Sequence, residues 1–384
     1  EVTRACSAHH HVPHAIRRRP GTHAGNLGQL VVFVGPNAVG KTNIVEALQL
    51  LTSGESFRKP SWPELVSWGS DTCRVSADLI GDKRQLEHEM RVVDGKRECY
   101  VNGKKKSAAA FRGECPSVLF IPDDLQMVKA SSARRRDALD ALALQLSPQY
   151  SSLRSEYTKT LKQRNLLLRE ELAQGPLFES WNESLVIHGS RLFLNRFRLF
   201  NRLRERMRRI YQTVIPNESF DMAYIPSWCR FDEEGRQLPD IPEILDVPDV
   251  EDVDLKGVQD TMARMLVRLL PTERQRKTSL VGPHKDEISF FIEGRNARRF
   301  ASQGQQRTVV LVEKLAEVEL VREMTGQEPI LLLDDVMSEL DAAHRDALTS
   351  FVEQSAQTFV TTTGLEVFSA DLLDRAQIVC LPLE

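Results

Sequence analysis

The stretch Leu30-Val31-Val32-Phe33-Val34-Gly35-Pro36-Asn37-Ala38-Val39-Gly40-Lys41-Thr42 decides the fold class. A short apolar run stops at a glycine, which predicts a buried strand over Leu30–Val34. After Thr42, the residues Ile44, Val45, Leu48 and Leu51 share one face of a predicted helix. Between strand and helix, Gly35 to Thr42 match G-x-x-x-x-G-K-[ST]. The chemistry needs these residue types. Glycines let the backbone of Gly35, Pro36, Asn37, Ala38, Val39 and Gly40 wrap closely, so that its N–H groups point at a β-phosphate. Lys41 supplies a cation to the β- and γ-phosphates, Thr42 offers a hydroxyl to Mg²⁺, and the helix start adds its positive end. An ordinary Gly-rich turn would not require both flanking elements.

The partner motifs lie far downstream. Ile330-Leu331-Leu332-Leu333-Asp334-Asp335 reads as a buried strand ending in two carboxylates. With a phosphate loop present, Asp334 is expected in the Mg²⁺ shell, and Asp335 is expected to orient or deprotonate the attacking water. Two carboxylates merely capping a strand are the plainer alternative. Ser302-Gln303-Gly304-Gln305 precedes a helix whose core face includes Leu311, Leu315 and Val318, and it looks like an ABC signature with Gln303 where a glycine is usual. There Ser302 is the expected catalytic hydroxyl, with Gln303, Gly304 and Gln305 beside the γ-phosphate of a second subunit. Ser338-Glu339-Leu340-Asp341 resembles the D-loop of the same superfamily, which places Asp341 at that seam. A capped helix start is the local alternative for Ser302.

Around these motifs the chain changes character twice. Residues 72–106 partly alternate apolar and polar and carry the hairpin signals Asp94-Gly95 and Asn102-Gly103. Residues 133 to 215 read as long helices. Phe193, Phe197, Phe200, Leu203, Met207 and Ile210 form one seam, and Arg191, Arg196, Arg198, Arg202, Arg204, Arg206, Arg208 and Arg209 spread over the other faces. That basic helix is either a contact for DNA phosphates or a solvated face balanced by the acidic, Pro-punctuated stretch 239–254. The whole chain, with 51 Lys+Arg against 54 Asp+Glu, does not attract nucleic acid by net charge, so any DNA contact must be local. Cys6, Cys73, Cys99, Cys115, Cys229 and Cys380 include no C-x-x-C pair, which argues against a zinc or redox site and for reduced thiols in the cytosol. No apolar run approaches the length of a membrane span.

The expected fold is α/β: an ABC-type ATPase head with a β-meander lobe, and a helical arm inserted between phosphate loop and signature. The expected divisions are 1–29, a divergent or disordered N-terminus; 30–132, first part of the head; 133–270, the helical arm with its acidic loop; and 271–384, second part of the head. His9, His10, His11 and His14 have no carboxylate or cysteine of ligand spacing nearby, so a metal is not expected there.

Six blocks, GPNAVGKTNIVEALQLLTSGESFR, VLFIPDDLQMVKASSARRRDALD, YTKTLKQRNLLLRE, TSLVGPHKDEISF, FASQGQQRTVVLVEKLAEVEL and PILLLDDVMSELD, resemble those of the RecF family, in that family's order from about residue 30 to 364. Residues 1–29 depart from it, lacking the opening Asn-Phe-Arg strand. Thr361-Thr362-Thr363 stands where transporters carry a switch histidine, so γ-phosphate sensing there would use hydroxyls. The Gly282–Asp286 turn is the most family-specific block, with no role legible from sequence.

The resemblance implies a cytoplasmic, slow, DNA-dependent ATPase of repair, replication and the SOS response. It would bind ATP with Mg²⁺, dimerise over the nucleotide and hold double- and single-stranded DNA at gaps, and with RecO and RecR it would assist RecA loading. The alternatives are a non-hydrolysing ATP-binding scaffold, another SMC-like ATPase, or a transporter motor. Ser302 stands 267 positions after Gly35, too far for the last of these.

Overall fold

A computed structural model describes residues 5–7, 26–80, 85–232, 235–238, 253–354 and 357–381. Contacts divide the chain into two units, residues 1–125 with 317–384, and residues 126–316.

The first unit holds two sheets around one helix. In chain order come β1 (Ala5–Ser7), β2 (Asn26–Leu27), β3 (Leu30–Val34), α1 (Lys41–Ser53), β4 (Thr72–Ile80), β5 (Gln85–Val93), β6 (Lys96–Val101), β7 (Lys104–Lys106), α2 (Ala108–Arg112) and β8 (Ser117–Phe120). β3 and β8 belong to a five-stranded sheet ordered β14-β3-β13-β12-β8, whose pairings are all parallel. Its remaining strands come from the chain's end, described below. The other sheet is antiparallel, ordered β2-β1-β4-β5-β6-β7. Its hairpins turn where the sequence signals them: Asp94, Gly95, Asn102 and Gly103 all have φ between 50° and 69°, as a two-residue turn matching the strand twist requires.

The sequence predicts one apolar face for α1, yet Ile44, Val45, Ala47, Leu48, Leu50 and Leu51 are all buried. The reason is that α1 packs against β4 and β5 of the antiparallel sheet as well as against the parallel one. Its buried hydroxyl, Thr52, is satisfied by Leu48 O and by Ser117 Oγ, 2.7 Å away.

The second unit is built on α3 (Ser132–Leu146), α4 (Pro148–Arg169) and α5 (Gly175–Val214), then β9 (Phe220–Ile225), α6 (Leu255–Arg276), β10 (Glu287–Ile292), β11 (Arg295–Asn296), α7 (Ala297–Phe300) and α8 (Gln303–Thr325). The aromatic seam of α5 is buried through Phe193, Phe197, Phe200, Leu203 and Met207, but then passes to Tyr211, leaving Ile210 half-buried. Over several turns the 3.6-residue period drifts past the position that simple 3–4 spacing picks.

The Gly282–Asp286 turn sits at the centre of this unit. Gly282 has φ +130°, and a Cβ there would collide with the Tyr157 hydroxyl. His284 Nδ1 lies 2.6 Å from the Tyr157 hydroxyl, and its Nε2 donates to Ser279 O. Asp286 accepts from the Tyr224 hydroxyl at 2.6 Å and from Ser227 N at 2.8 Å. Arg196 of α5 donates to Pro283 O at 2.7 Å and to both oxygens of Asp140 on α3. Strand β10 then pairs antiparallel with β9. These bonds draw residues 279–300 into the unit of α3–α5, so the contact boundaries fall at 125/126 and inside α8 at 316/317, where the sequence suggested 132/133 and 270/271. A hydrophobic reading does not foresee this, because the ties are polar and long-range.

The chain returns to the first unit with β12 (Ile330–Asp334), α9 (Ala342–Gln354), β13 (Thr358–Thr362), α10 (Ala370–Arg375) and β14 (Gln377–Cys380). Of residues 1–29, only 5–7 and 26–29 are described. The His9–His14 group lies outside the described residues, as do residues 239–252 of the acidic stretch.

Candidate nucleotide site

Strand β13 lies between β3 and β12, and all three run parallel, so their carboxyl ends gather on one edge of the sheet. That edge carries the phosphate loop, the paired acids and Thr361-Thr362. An open α/β sheet places its ligands at such an edge.

The loop is held in a shape few sequences tolerate. Gly40 has φ +109° and Ala38 φ +65°. A Cβ at Gly35 would lie 2.8 Å from Leu381 O. α1 begins at Lys41 with Gly40 as its N-cap and no side chain capping it, which leaves its first N–H groups for an anion. The Lys41 ammonium is buried and donates to Gly35 O at 2.8 Å and Pro36 O at 3.0 Å. Thr42 is half-buried in the first turn of α1. Behind the loop, Glu46 accepts from Ser56 Oγ and from Arg58 at 3.0 Å, and Arg58 also reaches Asn43 Oδ1 at 3.1 Å. This brace fastens the following segment to α1. Glu46, Ser56 and Arg58 all lie within the 35–58 block, but nothing in their spacing marks them as a brace.

At the acidic end, Thr361 ties the two aspartates together. Its hydroxyl donates to Asp334 Oδ1 at 2.7 Å and accepts from Asp335 N at 3.0 Å. Asp334 is buried, and that bond engages one of its two oxygens. Asp335 is half-buried with φ +54°, a left-handed conformation uncommon for a residue with a side chain. Burial pushes its carboxyl above the ordinary range, Lys41 pulls it back, and the neighbouring charge of Asp334 adds to the rise. Thr362 Oγ1 donates to Gly364 O, and Thr362 O accepts from Gly35 N. Of the three threonines suggested as sensors, Thr361 and Thr362 are buried and engaged, and Thr363 is exposed.

The remaining expected residues fall into two places. Asp341 is in the first unit, where its Oδ1 accepts from His344 N at 3.1 Å and lies 2.7 Å from His344 Nδ1. Ser302, Gln303, Gly304 and Gln305 are in the second unit. Ser302 Oγ accepts from Gln305 N at 3.2 Å, and Gln305 Oε1 accepts from Ser302 N at 2.9 Å, a reciprocal cap at the start of α8. Ser302 and Gln303 are exposed, and a Cβ at Gly304 would meet nothing nearer than Ser302 Oγ at 3.9 Å. The structure therefore assembles Gly35–Thr42 with Asp334 and Asp335 on one sheet edge, and Ser302–Gln305 as a separate capped turn. Among the described residues no helix is long and apolar enough to cross a membrane.

Residues 22–377 match the RecF/RecN/SMC N terminal domain family, the class that this sheet edge and its motifs define. Within that class the chain is 37% identical over 359 residues to the DNA replication and repair protein RecF of Gloeobacter violaceus, covering 91% of this chain and 90% of that one. It is 38% identical over 356 residues to the protein of the same name from Synechococcus sp. (strain JA-3-3Ab), covering 91% and 89%. The solved structure of the recombination mediator protein RecF-ATP in the RecFOR pathway superposes with a TM-score of 0.80 at 27% identity, over 96% of this chain and 93% of that one. An Smc head bound to the C-winged helix domain of ScpA, at TM-score 0.51 and 13% identity over 99% and 93% of the two chains, shares the fold alone. The chain belongs to the RecF family.

Proposed function

We propose that this protein is an ATP-switched DNA repair and replication factor. It binds ATP with Mg²⁺ at Gly35–Thr42 and Asp334. It hydrolyses the nucleotide slowly, with Asp335 acting on the attacking water. It dimerises head-to-tail so that Ser302, Gln303, Gly304, Gln305 and Asp341 of a second copy complete each site. The observation that carries the reading is the sheet edge itself: Lys41 at an uncapped helix start, in the same site as an acid pair joined through the Thr361 hydroxyl. The relatives' names and the RecF-ATP structure support it.

The donor set fits the cation. Thr42 and Asp334 offer the hard oxygen ligands that Mg²⁺ takes. Mg²⁺ keeps the rest of its shell for substrate phosphate and water. When bound, Mg²⁺ neutralises charge on the phosphate oxygens. Thr361 holds one oxygen of Asp334, and half-burial leaves the Asp335 carboxylate within reach of an attacking water.

The finer assignment follows the family: binding of double- and single-stranded DNA at gaps, cooperation with RecO and RecR in loading RecA, and a cytoplasmic location. One experiment tests the core of the reading. Nucleotide affinity and molecular mass by light scattering are measured with and without ATP for wild type, Lys41→Ala and Ser302→Arg. Lys41→Ala is expected to lose tight ATP binding, because the phosphates lose their cation. Ser302→Arg is expected to bind ATP and stay monomeric. Unchanged affinity in Lys41→Ala, or an equal ATP-induced dimer in Ser302→Arg, refutes the shared nucleotide site.

A further inference from the structure

The signature turn has a side-chain support outside its own motif. Gln305 closes the cap with Ser302 through its Oε1, and its Nε2 donates to Glu218 Oε2 at 2.6 Å. The other oxygen of Glu218 accepts from the Tyr211 hydroxyl. Tyr211 is fully buried in the last turn of α5 and stacks on Phe220, with ring centroids 4.7 Å apart. A continuous line of bonds therefore runs from the end of the long helix, through one carboxylate, to the amide that orients Ser302.

The geometry points to Glu218 as a positioning residue for the Ser302–Gln305 turn, coupling that turn to α5. This rests on the reading of the turn as part of an ATP site. The argument is one of donor and acceptor count. A carboxylate only accepts, so it fixes which end of the Gln305 amide faces it. Were the amide flipped, its oxygen would face the carboxylate and its NH₂ would face Ser302 N–H, breaking two bonds at once. The lock therefore holds Oε1 on Ser302 N and the helix start in its capped form. Glu218 is also unlike a solvated surface carboxylate, since these two partners are a buried phenol and an amide rather than cations. A shift of the end of α5 would be transmitted through Tyr211 and Glu218 to the turn expected to meet the γ-phosphate of a second copy.

The test uses the full chain and four variants, with ATP affinity, ATP-induced dimer mass, kcat and KM as readouts. Glu218→Ala removes the lock. Its turnover and dimer fraction are expected to fall about tenfold, as for loss of a hydrogen bond to a charged group, with the monomer's ATP affinity, read in protein too dilute to dimerise, at its wild-type value. Tyr211→Phe leaves Glu218 in place without its anchor, and the expected fall is roughly threefold. Glu218→Gln is the rescuing variant. Its amide oxygen can accept from Gln305 while its NH₂ donates to the phenol oxygen, so activity within about twofold of wild type is expected. Lys41→Ala reports separately on the nucleotide site. If it binds ATP normally, the underlying reading fails. If it loses ATP while Glu218→Ala dimerises and turns over as wild type, only the positioning role is overturned. Glu218→Gln damaged as badly as Glu218→Ala, or the dilute monomer's ATP affinity falling in step with turnover in Glu218→Ala, overturns it too.

Discussion

Two aspartates at strand ends in this molecule have opposite fates. Asp335 follows β12 in the first unit, and Asp286 precedes β10 in the second. Burial raises the carboxyl of both above its ordinary range. Asp286 is fully buried and has a partner for each oxygen, the Tyr224 hydroxyl and Ser227 N. Asp335 is half-buried, and its nearest side-chain partner, Ser338 Oγ, is 3.4 Å from Oδ1. A carboxylate with a protein donor on each oxygen is architecture; one left with room for water is available for chemistry. The same contrast separates Arg196, spent inside the second unit, from Lys41, whose donors close on a loop that can exchange them for phosphate.

The largest effect should come from removing the buried cation. Arg196→Ala takes from Asp140 its buried arginine, leaving it Arg154 and the Tyr150 hydroxyl, and strips Pro283 O of the Arg196 donor; breaking a buried pair costs up to about 3–5 kcal/mol. Urea unfolding is expected to show that loss, and an unmoved midpoint would remove Arg196 from the framework. At the half-buried acid, Asp335, the loss should be kinetic. Asp335→Asn is expected to keep ATP binding and folding while turnover falls about 10²-fold, the scale of general-base catalysis, so that an ATP-bound dimer accumulates. Only the ionised form can accept a proton, and the raised value moves the acid limb of kcat/KM, which reports the free protein, to higher pH than an ordinary aspartate gives. That limb should vanish in Asp335→Asn. A variant with the same limb would assign it to another group.

A third measurement separates the two regions by pH. Burial drives His284 down to about 3 from 6.5, opposed by its bond to Ser279 O. The geometry agrees: Nε2–H donates to Ser279 O, and the lone pair on Nδ1 takes the Tyr157 hydroxyl, so a second proton has no place. The folded value is depressed, so between those limits the unfolded chain binds more protons than the native one. Stability then rises with pH through that window and is lost on acidification, by roughly 1 kcal/mol per unit below about 6.5. His284→Gln should flatten that slope in urea midpoints taken between pH 6.5 and 5. A slope identical to wild type would mean that the imidazole is protonated in the fold.

The unequal legibility of the two regions has a physical cause. The phosphate loop is local: Leu30–Val34 came out of sequence at its observed bounds because an apolar run, a glycine and a helix period are contiguous. The acid pair was legible for the same reason. Thr361 as their tie was not, because that bond joins strands 27 positions apart. For Gly282–Asp286 the partners are further still, Tyr157 being 127 positions from His284 and Arg196 being 87 from Pro283, so no window of sequence contains the reason for the motif. The capped turn at Ser302 was readable as a cap, but its support from Glu218, 87 positions upstream, was not.

The smallest effect concerns the outside of the helix that carries Arg196. The eight arginines read from sequence do not form one surface. Arg196 is internal, and Arg204 is bound to Asp221 through two bonds of 2.7 and 2.8 Å. Arg208 Nε lies 3.9 Å from the same aspartate. Arg191, Arg198, Arg202 and Arg209 are exposed, and steps of seven, four and seven put them on one stripe along α5, opposite the aromatic seam. Spaced along a helix that rises about 1.5 Å per residue, such a stripe can follow a phosphate backbone. Each phosphate neutralised releases a counterion and adds about 0.9 to the slope of log affinity against log salt. Arg198→Glu together with Arg202→Glu should therefore flatten the slope for duplex DNA by roughly two, and weaken binding across sequences without preference. The folded state should be unaffected, in contrast to Arg196→Ala on the buried side of the same helix. If the salt slope of the double variant equals wild type, the stripe is a solvated face and DNA is held elsewhere.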